Sequence, residues 1–233
     1  KALNTTDLGV LTTTQLTGLT STGLGALAET QLNALTTTVI THISTVQLDG
    51  LTSGQLGDLT TTQFQVLTTT QLGSLTSTQI KGVTTQEFGV LTTTQMTSFN
   101  STALGGLAST QLNALSTTVI SSITTTQVGG FTATQVGQMT STFINNLNTT
   151  TFSTLTTTQL DGLTAAQVTA LNSTQFGALT TTQIGGFATT QIKALNTTDL
   201  GVLTTTQLTG LTSTGLGALA ETQLNALTTT VIT

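Results

Sequence analysis

Two kinds of apolar position alternate along this chain, separated by five residues and then by three. The first falls at Leu3, Leu11, Leu19, Leu27, Leu35, Ile43, Leu51 and Leu59, and continues through Val83, Phe99, Ile123, Phe131, Met139 and Phe187 to Leu195. The second falls at Leu8, Leu16, Leu24, Leu32 and Ile40, then runs through Phe64, Met96, Val128, Ile144, Phe176 and Ile184 to Leu200. The period is eight, and no octad in the run carries an insertion or deletion. A repeat of this kind governs every later reading of the fold. Written Φ-T-T-T-Q-Φ-x-x, the unit is seen at residues 11–18, LTTTQLTG.

The polar positions predict a helix start in every octad. Position 2 holds Thr, Ser, Asn or Ala, as at Thr12, Ser116, Asn148 and Ala28. The first three carry a side-chain oxygen that accepts from first-turn amides. Position 5 is usually Gln, with Glu87 and Asp199 as acidic replacements. Placed as N-cap and N3, the two form a capping box, and the apolar positions 1 and 6 become the flanking hydrophobic staple. Gly gathers at positions 7 and 8, as at Gly18, Gly25, Gly50 and the pairs Gly105–Gly106 and Gly129–Gly130. A short helix would end there, with glycine as its stop. The predicted fold is an all-α repeat solenoid of very short capped helices, one per octad. Thr is a poor helix former and isolated short helices are marginal, so such helices must stack to survive.

The alternative is a β-solenoid with about two octads per coil. Thr, Ile, Val and Phe favour strands. Spacings of five and three point to opposite faces of a straight strand, so this reading needs a bend in each octad, which the glycines supply. Gln at position 5 would then stack as an amide ladder. In both readings positions 1 and 6 make one buried seam, represented by Leu3, Leu8, Leu11, Leu16, Leu67, Leu72, Leu155 and Leu160. Thr12, Gln15, Gln71 and Gln159 represent the cap or ladder positions.

Longer periods lie above the octad. Residues 1–41 recur unchanged as 193–233, an offset of 192. A weaker echo lies at offset 80, where TGLGALAETQLNALTTTVITHI from Thr22 returns as TALGGLASTQLNALSTTVISSI from Thr102. Both offsets are even numbers of octads, which favours a structural unit of two. Residues 1–233 read as one continuous array: a block of 1–192, then its restart. Lys1 and the lack of a polar capping unit read as a piece cut from a longer chain.

Composition narrows the function. Charged residues make up 5% and the net charge is −5, with Lys1, Lys81 and Lys193 the basic residues. Nucleic-acid binding and attachment to an anionic membrane both need a basic surface that this chain lacks. No apolar run reaches the ~20 residues of a membrane span. With no Cys there are no disulfides or thiolate metal sites.

Candidate chemistry is sparse. His42 is the sole histidine and reads as a drifted position 8. The carboxylates Asp7, Asp49, Asp58, Asp161, Asp199, Glu29, Glu87 and Glu221 are scattered. No enzyme, cofactor or metal site is expected. Sequons occur at Asn4, Asn100, Asn148, Asn172 and Asn196, each with Asn standing at the position-2 cap, so the repeat accounts for all five. The Thr rows, with Gln, offer a second reading as a face that recognises a repetitive ligand such as a glycan or ice.

The run LTTTQLTG…LTTTQIGG resembles the L-T-T-x-Q-[LIV]-x-x arrays of very large secreted or surface proteins of Gram-negative bacteria, described as adhesin-like or extracellular matrix proteins. That resemblance implies an extracellular or cell-surface location, a role as filament, stalk or sheath, and assembly with further copies of itself. It carries no site residues over. Whichever way the octad folds, Leu67→Asp should destabilise a soluble multi-octad protein far more than Thr69→Asp; equal melting temperatures for the two would dismiss the seam.

Overall fold

The computed structural model describes residues 3–231, with side chains through Leu227; Lys1 lies outside them. Among the described residues there are 28 helices and no strand. The helical reading holds, and the β-solenoid alternative does not. Most helices are four to six residues long and begin at position 3 of an octad, as in Thr13–Leu16, Thr69–Ser74 and Thr157–Asp161.

Each helix starts as the capping residues dictate. Thr68 is extended, at φ −73° and ψ 160°, and its side chain accepts from the Gln71 amide. Most helices end by tightening: Leu67 N–H donates to Phe64 O at 3.1 Å and Leu75 N–H to Leu72 O at 3.2 Å. These bonds, running from position 1 back to position 6, close the last turn in 3₁₀ fashion. The chain then extends through positions 1 and 2 into the next cap.

The fold divides into two compact units, Lys1–Val119 and Ile120–Thr233. Within the first, nearly every helix packs on the third one after it: Thr5–Gly9 on Glu29–Asn33, Thr13–Leu16 on Thr37–His42, Ser21–Gly25 on Thr45–Leu48, and on to Thr85–Gly89 on Ser109–Asn113. The second follows the same rule, from Thr125–Val128 on Thr149–Ser153 to Thr197–Gly201 on Glu221–Val231. One coil therefore takes three octads. This corrects the two-octad unit inferred from the even offsets. Twenty-four octads divide by three as well as by two, whereas the ten octads of the weaker echo do not, so parity carried no information about the coil.

The core runs inside the coils. Leu8, Leu16, Leu67, Leu72, Leu155 and Leu160 are buried, while Leu11 is half-buried and Leu3 is 40% exposed, so neither of the last two lies in the core. Burying one such leucine contributes about 1.5–3 kcal/mol, which short helices need because helix formation alone does not sustain them. Larger side chains meet as pairs: Phe88 lies 6.3 Å from Phe99, and Phe131 meets Phe143 edge-on at 6.1 Å.

The helices stop at positions 7 and 8 as expected, several of them on glycine, as in Ser53–Gly57 and at the C-caps Gly129 and Gly162. No described glycine has positive φ, so none ends a helix in the left-handed conformation. Some of them also permit close approach of neighbouring coils. A Cβ on Gly82 would sit 1.8 Å from Ser53 O, and one on Gly162 would sit 2.2 Å from Ala133 O. By contrast, Gly201 has nothing within 4 Å of that position. Gly82→Ala should therefore cost about 1–3 kcal/mol through forced separation of the coils. Gly201→Ala should be neutral or stabilising by about 0.5–1 kcal/mol, since alanine is the better helix residue. Chemical denaturation of both variants reads the opposite signs.

Candidate functional site

The most developed polar feature of the fold is a set of buried glutamine amides at position 5. In the octad of Gln71, the Thr68 backbone N–H donates to Gln71 Oε1 at 2.8 Å and the Thr68 hydroxyl donates to the same oxygen at 3.1 Å. The Gln71 N–H donates back to Thr68 Oγ1 at 3.2 Å. That closes the capping box. The other end of the amide reaches into the preceding coil, where Nε2 donates to Ile40 O and Ile43 O, both at 2.8 Å. These two carbonyls close the helix Thr37–His42. One side chain thus satisfies the amino end of its own helix and the carboxyl end of another, groups that a helix leaves unpaired.

The arrangement repeats with fixed register. Gln63 donates to Leu32 O and Leu35 O, Gln79 to Leu48 O and Leu51 O, and Gln159 to Val128 O and Phe131 O, at distances of 2.8–2.9 Å. The carbonyls lie 28 and 31 residues earlier. Thr12 and Gln15 make the same capping box, with Thr12 N–H on Gln15 Oε1 at 2.9 Å, from exposed positions. Alanine caps keep half of the arrangement: Ala28 N–H still donates to Gln31 Oε1 at 2.8 Å. Gln71, Gln159 and their equivalents lie inside the coil, so the Thr/Gln ligand face loses its glutamines.

Where position 5 departs from Gln, the structure shows substitutes that sequence reasoning missed. Thr151 is buried and its hydroxyl donates to Ile123 O at 2.9 Å, while Asn148 Nδ2 donates to Ser121 O at 3.1 Å. Together they replace the glutamine. The signal was visible, since Asn at position 2 coincides with Thr at position 5. Asn196 does the same beside Asp199, with Nδ2 on Thr169 O at 3.3 Å.

The two acids at buried rungs stand apart. Glu87 and Asp199 are each 1% exposed. Glu87 Oε2 accepts from Thr84 N–H at 2.6 Å, and its Oε1 is buried without a hydrogen bond, as is Asp199 Oδ2. Burial pushes the Glu87 carboxyl above its ordinary value, against the lowering effect of its hydrogen bonds with Thr84; Asp58 adds a smaller upward push. Burial likewise raises Asp199 from 3.8 to about 6 against the lowering effect of Asn196.

The remaining candidates are not drawn together. His42 is exposed, with Nδ1 2.8 Å from Thr38 O and 3.2 Å from Thr41 Oγ1. It borders an open cleft of about 500 Å³ shared with Leu16, Leu19, Ser21 and Val46, which brings it no acidic partner. No group of three or more His, Asp or Glu that could hold a metal ion exists among the described residues. The sequon asparagines serve as helix caps: Asn100 Oδ1 accepts from Ala103 N–H at 2.8 Å, and the amide nitrogens of Asn148, Asn172 and Asn196 are engaged in hydrogen bonds. No described helix is long and apolar enough to cross a membrane.

A family model described as the ALTTAQ repeat matches residues 192–229. The motif falls on positions 8 and 1 to 5 of the octad, as in Ala218–Leu219–Ala220–Glu221–Thr222–Gln223. The matched stretch from 193 onward recurs unchanged at 1–37. The chain is thus similar over this stretch to a family of repeats, and its octads form a helical repeat array. A search of curated proteins finds no match.

Removing one amide tests the ladder. Gln71→Met keeps the volume but strips the acceptor from Thr68 N–H and the donors from Ile40 O and Ile43 O. It should cost about 1–3 kcal/mol, the range for a buried group left unpaired, towards the upper end because several groups lose their partner. Gln15→Met loses the exposed cap and should cost ~1 kcal/mol or less. Equal losses in urea titrations would show that the reach into the preceding coil contributes nothing.

Proposed function

We propose that this chain is the structural repeat region of a long extracellular filament, stalk or sheath, that it assembles with further copies of itself, and that it performs no catalysis. The observation that carries the reading is the amide ladder. Within each compact unit, coil after coil is seated on the one before by glutamine amides in a repeating register. A repeat whose units stack on their neighbours extends indefinitely by adding units. The resemblance to L-T-T-x-Q arrays of bacterial surface proteins supports the extracellular location, and a composition without Cys and with few charges is compatible with it. The threonines that stay exposed, such as Thr69 and Thr70, give such a filament an uncharged hydroxylated surface.

Electron microscopy of the native assembly tests this. Long fibres or sheets at the cell surface are expected, labelled by an antibody to the octad array. Label confined to separate compact particles inside the cell would overturn the proposal.

A further inference from the structure

The exceptional rung at Glu87 points to a response to pH. At the neighbouring rungs the amide nitrogen of position 5 donates to the coil beneath: Gln79 to Leu48 O and Leu51 O, and Gln95 to Gln65 O and Leu67 O. The same register assigns Leu59 O, 28 residues earlier, to Glu87. Glu87 Oε2 already occupies the acceptor place, on Thr84 N–H. Its second oxygen therefore stands where the glutamines carry a donor, and it is buried with no hydrogen bond.

We propose that Glu87 is a pH-sensitive rung: as the neutral acid it donates its proton to the Leu59 carbonyl and completes the ladder, and as the carboxylate it opposes that carbonyl and loosens the joint between the two coils. No covalent change is involved beyond loss of the proton to solvent. A carboxylic acid has one O–H donor and an acceptor oxygen, the same pair that a glutamine amide presents here. A carboxylate has acceptors alone, so it leaves Leu59 O unanswered and places a buried charge beside it.

The surroundings favour the neutral form. The helices packed against Thr85–Gly89 are Thr61–Gln65 and Ser109–Asn113, and neither contains an ionisable residue. The charged group that acts on Glu87 is Asp58, whose negative charge opposes ionisation. Thr84 at the N-cap has no side-chain amide to reach into the coil beneath, unlike Asn148 beside Thr151 and Asn196 beside Asp199. Asp199 is thus a second, partly compensated acid rung. It packs between Ser173–Gly177, which carries no ionisable residue, and Glu221–Val231, whose Glu221 is exposed.

The sign follows from linkage. A carboxyl raised in the folded state leaves the unfolded chain to ionise first as pH rises. Stability is therefore greatest below the ordinary carboxyl value, falls as pH climbs towards the folded-state value, and is lowest above it. For Asp199 the window runs from 3.8 to about 6, which corresponds to roughly a hundredfold change in the unfolding constant, one pKa unit being tenfold.

Urea unfolding of the full chain between pH 4 and pH 8 tests the proposal, with Glu87→Gln, Asp199→Asn and the double variant measured alongside. The wild type should weaken as pH rises. Glu87→Gln should raise the unfolding midpoint at pH 7.5 but leave it nearly unchanged at pH 4, and the double variant should remove most of the slope. Infrared spectra give an independent reading: as pH rises, the carbonyl band of protonated carboxyls should outlast the ordinary carboxyl titration, and its late-titrating part should diminish in Glu87→Gln. Parallel pH profiles for wild type and Glu87→Gln, or a late-titrating band that the substitution does not reduce, would overturn it.

Discussion

A helix of five residues is almost all ends. Its first four N–H groups and last four C=O groups lack partners within the helix, so a protein built of such helices must satisfy nearly its whole backbone by other means. The position-5 amide solves much of this. In the octad of Gln71 it accepts from the cap backbone of its own helix and donates to the last carbonyls of a helix one coil earlier. The same side chain ties the local cap to the tertiary packing. Neither the cap nor the stacking is sufficient alone, because Thr is a poor helix former and the isolated helix is marginal.

The apolar and glycine positions follow from that bond. The amide reaches the carbonyls beneath only if the coils come close. The staples at positions 1 and 6 fill the interior, and small residues at positions 7 and 8 let the backbones approach, as Gly82 does over Ser53 and Gly162 over Ala133.

Much of this was legible in eight letters. The Thr–x–x–Gln spacing and its flanking apolar pair predicted the helix and its start, because capping is a local interaction spanning three residues. The coil was not legible. Its contacts join residues 25 to 31 apart, and a perfect octad repeat looks the same whether two or three units complete a turn. The glycines were read only in part for a related reason: the helix stop is local, whereas the close approach that the same residue permits depends on the neighbouring coil. The substitutes at Asn148 and Thr151 were written in the sequence, but their meaning depends on knowing that position 5 reaches a carbonyl 28 residues back.

The exceptions at position 5 show what that site demands. Val39, Val119 and Phe143 occupy it and are buried, with Phe143 seated edge-on against Phe131. An apolar side chain there forgoes a hydrogen bond worth about 0.5–1.5 kcal/mol net and recovers part of it through burial. Thr151 keeps the donor with a shorter side chain. These are graded losses in an interior position. An acid is different in kind, because its second oxygen enters the same dry space as an acceptor facing acceptors. Glu87 and Asp199 each leave one oxygen orphaned, and both are shifted towards the neutral form by burial above all. The interior of the coil thus accepts amides, hydroxyls and hydrocarbon at this position on ordinary terms, and accepts a carboxyl in so far as it keeps its proton.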